Sequence, residues 1–470
     1  MNEIQIGRYM DNNNTTRKWL KSHHDTLFPF FPLLKKRNID WLFDRLRERG
    51  GEKGALYVHI PFCTGRCTFC ILTRELPSHP SHTTKYVNSV LEEASAWSDY
   101  FSPVETVYIG GGTPTSLSSE DLKLLFTGLR EHFQIEPDAE VSVETTVSEL
   151  TEAKMNLLVE LGVNRLSVGV QTFNRGLRKT LGRRGSGEEV IDKLNTVRAF
   201  FPLLSIDLLY DIPGQGKTDV ITDVQKAIET GMDGISLYPL IYSPKTAIAR
   251  QFVPPPIETA KAVFGTVKSF LEDNGYRHLN INHFTNGRDK FRYSTYFNRL
   301  ANVLGLGAGA TGFLAGCFLK HPSTSEKYIQ NKNKNTVGNV FNVPENIIPV
   351  LWCVSQIQYG RIDIETPRRE WGFEPLDAFA RTLKRGVDRG ELTIAKNTIE
   401  LTSEGMFWAN TIGAEMAVEC LYNGKGNLVS LEESTAKIAK TIMLNKLRLR
   451  LKSSKKELRI GLGTGTGIRR

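Results

Sequence analysis

Cys63, Cys67 and Cys70 stand in the spacing C-x3-C-x2-C, directly after the strand-like run Leu56-Tyr57-Val58-His59-Ile60. Thiolates are the preferred ligands of iron–sulfur clusters. Three of them can hold a cubane of four irons and leave one iron without a protein ligand. Such an iron can bind a small molecule and pass it an electron, which suits reductive cleavage of S-adenosylmethionine (SAM), a carrier of radical chemistry. A structural zinc site with His59 as fourth ligand is the rival reading of the loop. Zinc sites usually add a second ligand pair farther along the chain, and no second C-x2-C pair follows. Cys317, Cys353 and Cys420 are scattered and read as small buried hydrophobes. Six cysteines in 470 residues are too few for a disulfide scaffold, and a reduced cluster implies a reducing compartment.

The elements that would position this loop can be read from periodicity. Apolar, β-branched-rich runs occur at 55–60, 105–109, 140–144, 165–170, 204–210 and 234–238, with helical stretches at 83–100, 119–132, 151–161, 187–200 and 217–230. Strand–helix alternation predicts an α/β fold with a parallel sheet and right-handed crossovers, here a barrel or partial barrel. Unusual residues recur at the carboxyl ends of these strands, where parallel barrels carry their active sites. The cysteines follow the first strand and Gly110-Gly111-Gly112-Thr113-Pro114-Thr115 the second. Glu144 ends the third, Gln171 the fourth, Asp207 lies in the fifth, and Tyr238 and Ile241 lie at the end of the sixth.

Each group has a plausible chemistry. The glycine run lets backbone approach a ligand, and its N–H groups suit an anion. Glu144 could pair with an ammonium, because an unpaired charge at a barrel mouth is costly to keep for packing alone. Gln171 and Asp207 could hydrogen-bond a ribose or amino-acid moiety. Arg183 could hold a carboxylate in a bidentate fork. Tyr57 precedes the cluster loop, and Phe69, between two of the cysteines, could shield a cluster or pack on a ligand.

Together Tyr57-Val58-His59-Ile60-Pro61-Phe62-Cys63, the triple-glycine run, Ser167-Val168-Gly169-Val170-Gln171-Thr172-Phe173 and Ile212-Pro213-Gly214-Gln215 resemble the radical SAM family of oxygen-independent coproporphyrinogen III oxidase (HemN-like). The likeness spans roughly residues 50–425. It implies a partial (β/α)6 barrel, a [4Fe–4S] cluster and, in several members, two SAM molecules; the helices followed by a hairpin near Lys396-Asn397 separately suggest a winged-helix-like C-terminal domain. Carried over by motif, Cys63, Cys67 and Cys70 ligate the cluster. Tyr57, Gly111 and Glu144 contact the SAM on the open iron. Phe69, Gly112, Thr113, Gln171, Arg183, Asp207 and Ile241 line the second SAM site, and Tyr57, Glu144 and Gln171 are the expected catalytic group.

The segment Leu401-Thr402-Ser403-Glu404-Gly405-Met406-Phe407-Trp408-Ala409-Asn410 resembles the branch of anaerobic heme-degrading (ChuW/HutW type) and class C methyltransferases. That likeness implies methylation of an sp2 carbon on a planar substrate, with a flavodoxin- or ferredoxin-type electron donor. One SAM yields a 5′-deoxyadenosyl radical, which takes hydrogen from the methyl of the other. Ile71-Leu72-Thr73-Arg74 and Pro239-Leu240 depart from the porphyrin-acting members near the expected pocket. A heteroaromatic natural-product intermediate therefore stands beside heme or porphyrin as substrate. Anaerobic coproporphyrinogen III dehydrogenation and a HemW-like heme chaperone are the alternative functions.

Bulk properties set the remaining bounds. No apolar run reaches membrane-spanning length, and Met1-Asn2-Glu3-Ile4-Gln5 lacks the apolar stretch of a signal peptide, so the expected location is the cytoplasm. The net charge is +9, but residues 437–470 carry eleven Lys or Arg against one acid, which leaves the rest of the chain nearly neutral. That distribution argues against a nucleic-acid surface. The expected organisation is a helical lead-in at 1–50, the barrel at 51–260, a barrel extension and polar linker at 261–335, a C-terminal domain at 336–425 with a hairpin at Lys396-Asn397, and a basic tail at 426–470.

Overall fold

A computed structural model describes residues 17–22, 26–331 and 338–421. The first part of the lead-in, most of the polar linker run and the basic tail lie outside the described residues. The described residues divide into two compact units, one within Leu34–Val343 and the other combining described residues before Leu34 with those after Val343.

The larger unit is built on one sheet. Its strands are β1 (Lys35–Arg37), β2 (Glu52–Ile60), β3 (Phe101–Gly111), β4 (Ile135–Thr146), β5 (Arg165–Gln171), β6 (Leu203–Tyr210), β7 (Gly234–Pro239), β8 (Arg277–Asn280), β9 (His283–Thr285), β10 (Val303–Leu306), β11 (Thr311–Leu314), β12 (Cys317–Lys320) and β13 (Asn339–Asn342). Strands β2 to β7 lie side by side in chain order, every pair parallel. Helices Pro80–Trp97, Ser119–His132, Glu152–Glu160, Gly187–Arg198 and Lys217–Glu229 return the chain between them. The sheet does not close. Antiparallel β9 and β8 extend it beyond β7; parallel β10, then antiparallel β11, β12, β13 and β1, extend it beyond β2.

The helix starts follow from local chemistry. Ser118 and Thr151 each accept a bond from the backbone N–H three residues on, and Ser186 forms a capping box with Glu189, which satisfies donors that the first turn leaves free. The six expected strands and five expected helices are all present, with strand starts in β3 and β4 earlier than the apolar runs suggest. The sequence reading placed no strand in the extension: elements of three or four residues carry too little period to recognise.

Alternation along the strands decides what the barrel encloses. In β5, Leu166, Val168 and Val170 are fully buried on the helix side. Arg165, Ser167, Gly169 and Gln171 share the other face. The same face of β4 carries Glu140, Ser142 and Glu144, that of β6 Ser205 and Asp207, and that of β7 Ser236. The barrel interior is therefore polar, unlike a packed aliphatic core.

The smaller unit has helices Ile348–Gln356, Glu365–Trp371 and Ala380–Asp388 and a three-stranded antiparallel sheet. The sheet order is β14 (Arg361–Asp363), β16 (Thr398–Leu401), β15 (Leu392–Ile394), with Lys396-Asn397 turning between the last two in sequence. Helix Ser403–Leu421 is buried along most of its length. Basic residues of its neighbour helix are matched by carboxylates: Lys384 with Asp388, Arg381 with Glu419, Arg389 with Glu415.

Candidate active site

The cysteine loop leaves β2 and is tied at its base. Cys63 N–H donates to Glu75 O (2.9 Å), and Glu75 N–H donates to Pro61 O (2.7 Å). Thr68 N–H bonds Leu181 O at 3.2 Å, its hydroxyl bonds Thr180 O at 2.9 Å, and Arg74 Nη2 donates to Cys67 O at 2.9 Å. These bonds fix the loop while Cys67 and Cys70 stay half-buried on the wall of a cavity of about 780 Å3. Cys63 is buried, which raises its thiol pKa, and the Thr113 hydroxyl, 3.6 Å from its sulfur, opposes the rise.

One observation weakens the zinc reading. His59 is fully engaged: Nε2 meets Thr73 O at 3.1 Å and Nδ1 meets the Tyr57 hydroxyl at 2.8 Å. A carbonyl can only accept, so the Nε2 proton points at Thr73 and Nδ1 accepts from Tyr57. Burial lowers the His59 pKa and keeps the ring neutral. Three thiols around one cavity suit a multi-iron cluster, whose ligands sit on separate irons.

The glycine run holds the second wall. A Cβ on Gly110 would meet the Glu144 carboxyl at 2.9 Å, and one on Gly112 would meet Phe62 O at 2.6 Å. Glu144 Oε2 accepts from Gly111 N–H at 2.9 Å, and Oε1 accepts from the Tyr108 hydroxyl at 2.6 Å. Burial raises the Glu144 pKa against both of these bonds. Tyr57, Tyr293 and Tyr108 stack behind it, with ring centroids 5.3 and 4.6 Å apart along that series.

A third wall comes from β5 and β6. Gln171 sits at φ 73°, a left-handed conformation that costs a non-glycine residue about 1–2 kcal/mol. A Cβ on Gly169 would lie 3.0 Å from Gln171 Nε2 and 3.4 Å from Arg183 Nη2, so the bare glycine lets both side chains converge. Arg183 lies over Phe69, 5.9 Å from its ring. The turn that carries Arg183 is held by Arg178, whose guanidinium donates to the carbonyls of Val170, Thr172, Arg184 and Gly185 at 2.7–3.1 Å.

The cavity thus gathers Cys63, Cys67, Cys70, Phe69, Gly111, Gly112, Thr113, Glu144, Gln171, Arg183 and Asp207. Tyr57 and Ile241 are not on its wall; Tyr57 acts on His59 from behind. Tyr108 and Arg178 were missed from sequence, the first because it looks like a strand aromatic and the second because it looks like a solvated helix cation.

Asp207 is pushed up to about 7, by burial first and by Glu144 second, while Ser236, Arg165 and Arg183 pull it down. An acid with a raised folded-state pKa binds its proton more tightly when folded. Its contribution to stability is full below the unfolded pKa and is lost as pH rises towards 7. Asp207→Asn removes that loss. By urea unfolding the variant is expected to exceed the parent by roughly 2–4 kcal/mol at about pH 8 and to match it near pH 4. Equal stability at the higher pH would contradict the assignment.

Residues 57–227 match the radical SAM superfamily. The heme chaperone HemW of Lactococcus lactis is 33% identical over 59% of this chain and 74% of its own length. Anaerobilin synthase of Escherichia coli O157:H7 is 28% identical over 77% of this chain and 83% of its own. The coproporphyrinogen III oxidase HemN of Escherichia coli shares the fold, with a TM-score of 0.72 at 24% identity over 80% of this chain and 93% of that one. Among the described residues no helix is long and apolar enough to cross a membrane. The family implies a [4Fe–4S] cluster and SAM, and the three thiols on one cavity with an engaged His59 fit that pair. The chain belongs to the radical SAM superfamily, within the HemN-like group that also holds HemW and anaerobilin synthase.

Proposed function

We propose that this protein is a radical C-methyltransferase that uses two SAM molecules to methylate an sp2 carbon of a planar substrate, with a tetrapyrrole as the first candidate and a heteroaromatic as the second. One observation carries the reading: more polar groups than one amino-acid ligand needs open on a single thiol-lined cavity. Glu144 and Gly111 stand on it together with Gln171, Arg183 and Asp207. At about 780 Å3 the cavity is at the large end of ligand sites, which run from ~300 to ~1,000 Å3. The extent of the likeness to anaerobilin synthase and the heme- and porphyrin-related names of HemW and HemN support a tetrapyrrole.

When bound, the cluster supplies an electron that starts radical chemistry at the SAM sulfonium. The chain's residues supply position. Each Glu144 oxygen keeps an acceptor site beyond its bonds to Tyr108 and Gly111, which holds the ammonium of the first SAM. Arg183 meets the carboxylate of the second in a fork, and Gln171 and Asp207 take its remaining hydroxyl and amino groups. Phe69, on the cavity wall beside Arg183, would help to exclude water from a bound SAM. Cys63, Cys67 and Cys70 hold the cluster, and a flavodoxin- or ferredoxin-type protein supplies its electron.

The test is anaerobic turnover with trideuteromethyl-SAM and heme, protoporphyrin or a heteroaromatic acceptor. Product should gain the labelled carbon, 5′-deoxyadenosine should carry one deuterium taken from that methyl, and S-adenosylhomocysteine should appear. Release of carbon dioxide without label in the product would make the protein a decarboxylating oxidase. Stoichiometric heme binding with no SAM consumed would make it a chaperone.

A further inference from the structure

Positive charge is concentrated around the cysteine loop. Residues 64–74, 174–187 and 240–257 hold nine Lys or Arg and no Asp or Glu. Residues 1–436 sum to −1, so outside these nine cations acids outnumber bases there by ten. The three segments meet at Thr68, next to Cys67. Thr68 N–H bonds Leu181 O at 3.2 Å and its hydroxyl bonds Thr180 O at 2.9 Å. Thr68 O accepts from Ile248 N–H at 3.1 Å. Leu177, Leu181 and Ile248 belong to one buried apolar cluster, with Phe69 packed against it. The cations therefore stand on a packed support and not on free loops.

Five of the nine, Arg66, Arg74, Arg178, Arg183 and Arg184, line the cavity. The other four do not. Arg175 and Lys179 lie in helix Arg175–Thr180, Lys245 just ahead of helix Ala247–Gln251, and Arg250 within it; all four are exposed. Among the described residues none of the four forms an ion pair, whereas exposed Arg47 pairs with Asp44 and Arg49 with Glu52. A ligand held in the cavity leaves these four charges unmatched. Gathered like charges repel one another, so such a face works against the fold and calls for a role outside it. The same segments also expose large apolar side chains. Ile71 and Leu72 follow Cys70, and Phe252 and Val253 follow Gln251, with Val253 86% exposed.

We propose that this face docks an acidic one-electron carrier protein, and that Lys179, Lys245 and Arg250 are its outer contacts. The proposal rests on the cluster reading of the three cysteines and is independent of methyl transfer. One electron leaves the reduced carrier and enters the oxidised cluster; no bond forms or breaks and no proton moves. Position, charge and apolar content select such a partner. The cations surround the loop that carries Cys67 and Cys70, both half-buried, so a carrier held there stands against the cluster's own ligands. Redox partners meet through small, short-lived interfaces, and opposite charge speeds such encounters roughly 10- to 1,000-fold. Ile71, Leu72 and Val253 suit the apolar part of a protein interface with a charged rim. They are aliphatic and give bases no stacking face, which favours a protein over RNA.

Lys179→Glu, Lys245→Glu and Arg250→Glu, combined in one variant, reverse the outer face. None of the three lines the cavity and all are exposed, so fold and SAM binding are expected to stay as in the parent. Lys123→Glu, Arg277→Glu and Lys320→Glu, combined, form the control. They change the net charge by the same amount at exposed positions on helix Ser119–His132 and on strands β8 and β12.

The cluster-loaded proteins are mixed anaerobically, without substrate, with a reduced flavodoxin of net negative charge, and the reduced-cluster EPR signal is followed by freeze-quench. Photoreduced deazariboflavin, small and uncharged, serves as the second reductant, and fluorescence anisotropy of labelled flavodoxin reads the affinity. At about 0.02 M salt the face variant is expected to lose at least about tenfold in flavodoxin rate and affinity, and the control less than about threefold. All three proteins should accept electrons from deazariboflavin equally fast. The parent's flavodoxin rate should fall steeply between about 0.02 and about 0.3 M salt while that of the face variant barely changes. A face variant that keeps the parent rate, that loses no more than the control, or that is slowed equally with deazariboflavin overturns the proposal. Tighter binding of a labelled single-stranded RNA than of flavodoxin, lost in the same variant, overturns it in favour of a nucleic acid. Neither readout needs turnover, so a protein that transfers no methyl label still decides the docking face while losing the methyltransferase reading.

Discussion

Cys67→Ala is expected to abolish 5′-deoxyadenosine formation and the EPR signal of the reduced cluster while leaving the fold almost untouched. Cys67 is half-buried on the cavity wall. The hydrogen bond at this residue is made by its backbone oxygen, which accepts from Arg74 and survives the change. Positions of that kind shift stability by less than about 1 kcal/mol. With two thiolates left, the cluster loses one of its three protein anchors, and a ligand cannot be replaced from nearby: His59 has both ring nitrogens committed. Iron content after anaerobic reconstitution and the yield of 5′-deoxyadenosine are the measurements. A variant that still cleaves SAM at more than about a hundredth of the parent rate would remove Cys67 from the ligand set. A variant that loses its far-ultraviolet circular dichroism would instead show that the loop is needed for folding.

The contrast between Cys67 and its surroundings shows what the sequence can and cannot reveal about such a site. The cysteines, the glycine run, Glu144, Gln171 and Asp207 were legible because each breaks a local pattern: a polar or bare residue at the end of an apolar strand has no packing reason to be there. Their common position at strand ends places them on one mouth. Tyr108 breaks no pattern. It reads as one more aromatic in Thr106-Val107-Tyr108-Ile109, yet it holds one oxygen of Glu144. Arg178 sits in helix Arg175–Thr180 beside Lys179 and reads as a surface cation, yet its donors close the turn that carries Arg183. The Arg165–Asp289 pair joins residues 124 apart, and no periodicity reports a contact of that range. The fold was legible where strands were long enough to show a period and illegible in the extension, where the strands are only three or four residues long.

Gly111→Ala is expected to damage both the fold and the site, for reasons that combine backbone and side-chain contacts. At φ 117° the residue occupies a region that side chains rarely adopt, and an added Cβ would sit 2.8 Å from His59 Cε1 and Nε2. His59 cannot yield cheaply, because rotating its ring breaks the bonds to Thr73 and Tyr57 together. Backbone strain and overpacking each cost about 1–3 kcal/mol, so the sum approaches half the stability of a typical domain. The backbone must shift to relieve the clash, and the shift carries the Gly111 N–H away from Glu144. SAM affinity should therefore fall by about tenfold or more, the equivalent of one lost charge-assisted bond. Gly65→Ala supplies the control within the neighbouring loop: its Cβ would meet nothing within 4 Å, and its stability and SAM binding should stay within about 0.5 kcal/mol of the parent. Equilibrium dialysis of SAM and urea midpoints of the two variants test this directly. Equal behaviour of the pair would mean that the glycine run is a turn and no more, and that Glu144 is held by Tyr108 alone.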